Sequence, residues 1–321
     1  MDTKLIKNMI YILILIIAFA IVINCLYKRT NHFNNQFIDV RKFWPNSERK
    51  NNLQVVNLGS NHPKFGIDYS DINVNGENWA VGPQTFEYDF AILRQNISYL
   101  APGATVIIPV CLLNFFLYRQ NNRCIHTKYY SFLDKKDIVD YSIIEKIKNY
   151  YFPGIMHPKN ALRILKDVKK DERLLLTNNP MKTEAELNAD GDMWLKSWGK
   201  EFSISLPNPT LSQQNISDIR KNIEILKEML CYCKDKGLKP VITILPVTDY
   251  LYSRFSEEFI NNHVLSYIQK ANVVNVPVLN YLNDQRFTSV DKYINTFFMN
   301  AIGRKEFTRQ LLYDLKTIHH I

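Results

Sequence analysis

The sequence predicts an α/β protein, a parallel sheet with helices on both faces, preceded by an N-terminal transmembrane helix. The first supporting observation is a long apolar run close to the N-terminus. The second is an alternation of short β-branched runs with longer helical patterns after residue 52. The third is the composition, because 321 residues of which 46% are apolar suffice for a sizeable core.

The apolar run covers residues 9–27, where every residue except Asn24 is apolar or aromatic. A helix of this length rises roughly 28 Å, close to the hydrocarbon thickness of a bilayer. A buried core helix usually has a polar stripe, and a cleaved signal peptide ends its apolar stretch in small residues, whereas Ala18 and Ala20 lie in the middle of this run. We therefore predict an uncleaved anchor over residues 1–28 that contacts the membrane through residues 9–27.

The orientation of the anchor depends mainly on the order of the segments. Lys4 and Lys7 precede the run while Lys28 and Arg29 follow it, so the positive charges are nearly balanced. Because a single anchor followed by a long chain usually presents the large part outside the cytoplasm, we expect the N-terminus inside and a single-pass protein with an extracytoplasmic domain.

Charges and cysteines exclude several function classes. Lysine and arginine number 40 against 31 acidic residues, a net charge of +9, but no window forms a basic block, so we expect no nucleic-acid partner. Among the 5 cysteines, Cys111 and Cys124 are the one pair that a disulfide could join, and no His/Cys group has zinc spacing. We expect no metal and no cofactor.

The remainder divides into a polar, Asn-rich stem over residues 29–52 and an α/β domain over residues 53–321, with an insertion at about 111–200. The helix predicted at 213–236 has Ser212 as its cap and Gly237 as its stop. Other helices are expected near 84–100, 254–270 and 300–317. The predicted strands are Leu53 to Leu58, Trp79 to Val81, Thr105 to Val110, Val241 to Leu245 and Val273 to Leu279.

The first strand ends in a Gly-Ser turn that places the Ser60 hydroxyl at the carboxyl end of the sheet. A glycine there permits close approach, and the amides that follow can point toward a reacting oxygen. Ser60 is therefore placed like a nucleophile, although a Gly-Ser turn after a strand is also common in non-catalytic positions.

This segment, VVNLGSNHPKFGIDY, resembles the first block of the SGNH/GDSL hydrolase superfamily. The resemblance extends in order through GENWAVGPQTFEYDFAILRQ, GATVIIPV, GLKPVITILPVTDYLYSRF and MNAIGRKEFTRQLL. In particular, the chain looks like the membrane-anchored SGNH-like proteins of bacterial surface-polysaccharide modification, relatives of the teichoic-acid D-alanylation esterase-like proteins. The resemblance implies a flavodoxin-like sheet and an acyl-ester chemistry centred on Ser60.

In that family the serine is activated by a histidine from a D-x-x-H segment just before the last helix. Here Asn300 and Gly303 of the following Asn-x-x-Gly are kept, but Asn295 stands where the aspartate is expected and Phe298 where the histidine is expected. Phenylalanine cannot accept a proton, so the resemblance implies a catalytically degenerate centre. Asp291 is read as a solvated loop charge.

The resemblance also suggests residues around the serine. The oxyanion candidates are Ser60 itself, Gly82 and Asn114, of which Asn114 could equally be an ordinary turn residue. His62 and Gln84 are expected to line the site, with a helix cap as the alternative for Gln84. A substitute base would have to come from His62 or from the more distant histidines, His126, His157, His263, His319 and His320.

Three functions remain open at this point. The first is a membrane-anchored SGNH-like pseudoenzyme that binds a surface glycan or a partner. The second is an active serine esterase or O-acyltransferase whose base comes from elsewhere. The third is a structural subunit that docks a multi-pass membrane acyltransferase. The second needs an imidazole near Ser60, whereas the other two do not.

Overall fold

The computed structural model describes residues 3–45, 47–116, 127–166 and 183–319. The strands are β1 Leu53–Asn57, β2 Gly76–Asn78, β3 Leu100–Pro109, β4 Lys239–Ile244 and β5 Val278–Asn280. The helices in chain order are α1 Thr3–Arg29, α2 Asn31–Asn34, α3 Asn61–Gly66, α4 Phe86–Asn96, α5 Ile143–Lys146, α6 Pro153–Met156, α7 Pro158–Ile164, α8 Glu184–Phe202, α9 Gln213–Asp235, α10 Asp249–Tyr252, α11 Glu257–Ile260, α12 Ser266–Ala271 and α13 Ala301–His319.

The five strands form one sheet in the order β2-β1-β3-β4-β5, and every neighbouring pair is parallel. This is the flavodoxin-like strand order, in which ligands bind at the carboxyl ends of the strands where the order reverses. The register places Asn57 beside Ile107 and Ile107 beside Val241. The predicted α/β fold with a parallel sheet is confirmed.

Helices cover the sheet on both faces. On one face, Val55, Ile107 and Val241 pack with Phe307 and Leu311 of α13 in one buried cluster. Alternate strand residues point to the opposite face, where α9 packs against β4 and also contacts α4 and α12. The sheet is therefore buried between two helical layers, and its carboxyl edge is left for the loops that carry the candidate site.

The helix α9 follows its sequence signals closely. Ser212 accepts a hydrogen bond from the amide of Asn215 at 3.1 Å, and the Asn215 side chain accepts from the Ser212 amide at 3.0 Å, which makes a reciprocal cap. The helix ends before Gly237, whose φ of +69° is readily adopted only by a residue without a side chain.

Several predicted boundaries shift. Strand β2 is Gly76–Asn78 rather than Trp79 to Val81, because Trp79 to Val81 continue past the sheet as buried loop residues. Strand β5 is limited to Val278–Asn280. The helix predicted near 254–270 is divided into α11, a π-helical turn at Asn261–Leu265, and α12.

The chain forms two compact units. We call Met1–Glu48 with Asn122–Asp171 the anchor unit, and Arg49–Asn121 with Glu172–Ile321 the sheet unit. Residues 111–200, interpreted from the sequence as one insertion on the α/β domain, are thus divided between the two units. Within the anchor unit, α1 is long and apolar enough to cross a membrane, a property that signal sequences share.

The segment expected to be a polar stem is instead folded around aromatic side chains of the anchor unit. Phe33, Phe37, Val40 and Phe43 are all buried. The Phe43 ring stacks on Phe132 with centroids 5.0 Å apart. The asparagines between these residues make the stretch polar in composition. The packing contacts are made by the apolar side chains, which are spaced about one helical turn apart.

Candidate active site

The Gly-Ser turn after β1 is shaped by a glycine that no other residue could replace without strain. Gly59 has a φ of +108°, and a Cβ built on it would lie 2.5 Å from the ring of Pro63. The Gly59 carbonyl accepts a hydrogen bond from the Val81 amide at 2.9 Å, which holds the turn beside the segment that follows β2. Ser60 then precedes α3 with its side chain partly exposed.

The structure brings Ser60, Gly82 and Gln84 together at the carboxyl ends of β1 and β2. The Gln84 amide donates to Ser60 Oγ at 3.0 Å. Gly82 lies against Asn61, because a Cβ on this glycine would lie only 1.6 Å from Asn61 Oδ1. The hydroxyl oxygen of Ser60 is therefore fixed as an acceptor of a backbone amide.

A buried carboxylate supports this turn from behind. Asp89 Oδ1 accepts from the Gly59 amide at 2.6 Å and also from the Gln84 side chain. Burial raises the pKa of Asp89 to about 7, against the two donors, which lower it. Since the Gly59 amide is engaged by Asp89, it is not directed toward a substrate oxygen.

Sequence reasoning did not select Asp89, although a signal for it exists. Asp89 follows Phe86 by three positions and precedes Leu93 by four, so it lies on the apolar stripe of α4. A lone carboxylate on the buried face of a helix requires hydrogen-bond donors. The Gln84 side chain and the Gly59 amide are those donors.

His62 is buried with both ring nitrogens engaged away from Ser60. Its Nε2 lies 3.2 Å from the Pro246 carbonyl oxygen, and its Nδ1 lies 3.5 Å from Cys111 Sγ. A carbonyl only accepts, so Nε2 carries the proton and Nδ1 accepts from the thiol. Burial lowers the pKa of His62 to about 3, and its ring packs on Phe297 with centroids 4.2 Å apart.

Asn295 and Phe298, which the sequence resemblance places at the acid and base positions, have structural contacts here. Asn295 Oδ1 accepts from the amides of Phe297 at 2.9 Å and Phe298 at 2.7 Å, which closes a local turn. The Phe298 ring packs on Phe65 of α3 and edge-on against Trp194, with centroid distances of 5.0 and 5.5 Å. Neither side chain offers a proton acceptor to a serine.

The loop that carries these residues is held by Asp190 and Thr248. Asp190 accepts from the Thr296 amide at 2.8 Å and from the Thr296 hydroxyl at 2.6 Å. The Thr248 hydroxyl donates to the Thr296 carbonyl at 2.9 Å. Asp190 belongs to α8, a helix that sequence reasoning did not place, and no local pattern links it to a loop 106 residues away.

The other sequence candidates are placed elsewhere. Asn114 Oδ1 accepts from the Cys111 amide at 2.6 Å, so Asn114 forms a local turn. His263 pairs with Tyr267 on the outer helices, and His157 belongs to the anchor unit. Asp291 is exposed, as expected.

Three of the candidates, His126, His320 and Cys124, lie outside the described residues. The Cys111–Cys124 disulfide therefore stays a prediction. His319 is the last residue of α13.

Asn300 and Gly303 have clear structural roles at the start of α13. Asn300 Oδ1 accepts from the Gly303 amide at 2.9 Å and so caps the helix. Gly303 lies so near Lys292 that a Cβ would be 2.2 Å from the Lys292 carbonyl oxygen. The pair is explained by helix geometry alone.

The side chains over α3 form an aromatic cluster, defined here as Phe65, Trp194, Trp198, Phe297 and Phe298. Phe65, Trp194 and Phe298 are partly exposed, and the Trp194 Nε1 group has no hydrogen-bond partner within the described ranges. Trp194 lies 5.2 Å from both Trp198 and Phe297 between ring centroids. The cluster therefore presents apolar ring surface, while the Nε1 atom of Trp194 is buried within the packing.

The cluster is connected to the Ser60 turn through α3, because Phe65 belongs to this helix and the ring of His62 packs on Phe297. A cavity of about 480 Å³ in the sheet unit is lined by Val55, Thr105 and residues of α13, and none of its lining residues belongs to the Ser60 turn. Across the described part of the chain, no histidine is hydrogen-bonded to Ser60. The described geometry thus holds a fixed hydroxyl at the start of the helix that carries Phe65.

The sequence matches no known family, and the similar solved structure resembles this chain only weakly. No protein-family model matches the sequence, and no curated protein matches it. A solved structure of a Bacteroides fragilis protein described as a candidate acylhydrolase is similar with a TM-score of 0.37 and 10% identity, over 87% of this chain and 93% of that chain. A similarity at this level transfers neither a residue nor an activity to this chain.

Proposed function

We propose that the protein is a membrane-anchored, SGNH-like protein that binds an acylated surface glycan without hydrolysing it. The observation that carries the proposal is Phe298, which stands at the position of the family's base and packs on Phe65 and Trp194. A serine hydroxyl needs a base within hydrogen-bond reach to attack an ester at neutral pH. Replacing that base by an aromatic contact favours binding over catalysis.

The aromatic cluster has the chemistry that a sugar ring requires. Aromatic rings pack well against flat apolar surfaces. Trp194, which is partly exposed, supplies such a ring at the surface. Ser60, which accepts a hydrogen bond from the Gln84 amide, directly precedes the helix that carries Phe65, so we place the polar edge of the ligand toward Ser60 and its apolar face on the cluster.

The proposed location follows from α1. Asn24 and Tyr27 near its end are 6% and 1% exposed, so the helix is built into the folded anchor unit. This supports an uncleaved anchor more than a removed signal sequence, with the sheet unit outside the cytoplasm. A protein in this place meets surface polysaccharide, and a multi-pass acyltransferase in the same membrane would be a natural partner.

Ester hydrolysis by the full-length protein in detergent tests the catalytic part of the proposal. We expect short acyl esters to be hydrolysed at the same rate by the unmodified protein and by Ser60→Ala. A rate that falls with Ser60→Ala would overturn it in favour of an active esterase, with His126 as the first residue to replace.

Isothermal titration calorimetry with O-acetylated oligosaccharides tests the binding part. We expect Trp194→Ala to weaken binding at least tenfold, whereas Trp44→Phe in the anchor unit leaves it unchanged. Equal binding by all three proteins would contradict the assignment of the aromatic cluster.

A further inference from the structure

The end of α1 is packed against backbone from the middle of the chain. The Asn24 side chain donates to the Tyr151 carbonyl oxygen at 2.9 Å and accepts from the Gly154 amide at 3.0 Å. A Cβ on Gly154 would lie 2.9 Å from the Asn24 Cα. Helix α6 therefore contacts α1 at the distance that only a glycine allows, and α7 packs against α1 as well.

The position of Asn24 determines how deep these contacts lie. Asn24 precedes Arg29, the last residue of α1, by five residues, which is about 8 Å along the helix axis. If α1 crosses a bilayer and Lys28 and Arg29 lie at its surface, the residues that pack on Asn24 lie deeper in the membrane than these two charges. Residues 151–156 therefore belong in the interface of the same leaflet, where their backbone satisfies the Asn24 amide.

The short helices around this contact expose many large apolar side chains, whose contact with water is unfavourable. Leu162 is 65% exposed and Leu165 is 84% exposed. Further exposed apolar side chains in the same stretch are Ile143, Ile144, Ile147, Tyr151, Phe152 and Met156. Short helices with this many exposed apolar residues are typical of segments that lie in the plane of a membrane interface.

A cavity of about 670 Å³ opens beside these helices, within the anchor unit. Its cationic and imidazole side chains come from His32, His157, Lys159 and Arg163, and its lining within residues 3–45, 127–166 and the other described ranges includes no carboxylate. Arg163 Nη1 lies 2.8 Å from His32 Nδ1, so the guanidinium donates to a neutral imidazole and is held in one orientation. A positioned guanidinium beside a lysine is the arrangement that recognises a phosphate.

We propose that residues 143–165 lie in the bilayer interface beside α1, and that this cavity binds the phosphate headgroup of an anionic phospholipid in that leaflet. The proposal rests on the membrane anchoring given under the proposed function, and it does not depend on the aromatic cluster. The exposed apolar side chains contact the acyl region, while Lys159 and Arg163 hold the phosphate at the level of the α1 terminus.

Lipid retention tests the headgroup site. The full-length protein is equilibrated in detergent with phosphatidylglycerol or phosphatidylcholine, and bound lipid is counted by native mass spectrometry. We expect a phosphatidylglycerol adduct that becomes at least tenfold weaker in the double variant Lys159→Gln with Arg163→Gln. The matched control removes the same charge from exposed Lys234 and Lys236 by Lys234→Gln with Lys236→Gln, and it should keep the adduct. Equal loss in both double variants, or equal retention of both lipids, would overturn the site.

Photocrosslinking tests the interfacial position in nanodiscs that contain phosphatidylglycerol. A benzoylphenylalanine placed at Ile144 or Leu162 should form lipid adducts, and the same group at exposed Glu48 should form at least tenfold fewer. Equal yields at the three positions would contradict the interfacial placement. Because neither experiment uses Ser60 or a glycan, failure here is distinguishable from failure of the proposed glycan binding.

Discussion

The Gly59 amide donates a 2.6 Å hydrogen bond to the carboxylate of Asp89, which is almost fully buried behind the Ser60 turn. In an active serine hydrolase, amides in such a turn would be expected to face the substrate oxygen. Here the Gly59 amide points inward to Asp89, and this hydrogen bond fixes the shape of the turn. The turn is therefore stabilised by a group whose charge depends on pH.

Replacing Asp89 by Asn should make the protein relatively more stable as the pH rises. The folded carboxyl has a pKa of about 7 and the unfolded one about 3.8. Between these values the unfolded chain has lost its proton while the folded chain keeps it, so the contribution of Asp89 to the free energy of unfolding falls as the pH rises. From pH 5 to pH 8 this contribution falls by about 3 kcal/mol, a loss that Asp89→Asn should not show. Urea unfolding of both proteins at pH 5 and pH 8 measures this change. If the difference in free energy of unfolding between the wild type and Asp89→Asn were the same at both pH values, the prediction would be wrong.

His62→Gln should remove a pH dependence of the opposite sign. The folded imidazole has a pKa of about 3 and the unfolded one about 6.5, so the folded chain stays neutral while the unfolded chain takes up a proton. His62 therefore contributes a loss of about 2 kcal/mol in the free energy of unfolding between pH 6.5 and pH 5, and the variant should lack this contribution. Glutamine can still donate to the Pro246 carbonyl. Thermal unfolding of both proteins at these pH values is the measurement, and parallel acid sensitivity would contradict the neutral His62.

The slopes due to Asp89 and His62 nearly cancel in the wild type between pH 4 and pH 6.5. We expect a wild type whose stability varies little over this range, and single variants that each show the slope of the remaining group. The double variant Asp89→Asn with His62→Gln should again be flat. A double variant as steep as either single variant would show that other groups control the pH dependence.

Gly82→Ala should displace the Asn61 side chain, because the added Cβ would lie 1.6 Å from Asn61 Oδ1. We expect a loss of about 1–2 kcal/mol in the free energy of unfolding. In an Asn61→Ala background the same change should cost much less, since the obstructing atom is gone. A double-mutant cycle by urea unfolding measures this coupling, and additive effects would show that the two residues do not meet.

Asn295→Ala should cost about 1 kcal/mol, because the amides of Phe297 and Phe298 lose their acceptor. Asn295→Asp keeps an oxygen in the same place, so it should stay within about 0.5 kcal/mol of the wild type. Thermal unfolding compares the three proteins. If aspartate is as destabilising as alanine, the turn is not held by this oxygen.

The parts of the fold that could be predicted are those whose signals are local. Ser212 and Gly237 mark the ends of α9 because a cap and a left-handed stop act on their own neighbours. The turn at Ser60 followed from a strand that ends in Gly-Ser. By contrast, α8 and the aromatic packing of the stem depend on partners far along the chain, such as Phe132 against Phe43.

The same distinction separates the site residues. Ser60, Gly82 and Gln84 could be placed together because they follow neighbouring strands of a parallel sheet. The direction in which His62 points could not be predicted, since it is decided by the Pro246 carbonyl and the Cys111 thiol. Asp190 was not anticipated because its contact with Thr296 exists only after the loop and α8 have both folded.

The packing of Gly154 on Asn24 limits how α1 can move. A helix joined to its domain by a flexible linker can rotate about its own axis without rotating the domain. Here a hydrogen-bonded side chain and a glycine in backbone contact fix one face of α1 against α6. A rotation or tilt of α1 would therefore be transmitted directly to the backbone around Tyr151 and Gly154.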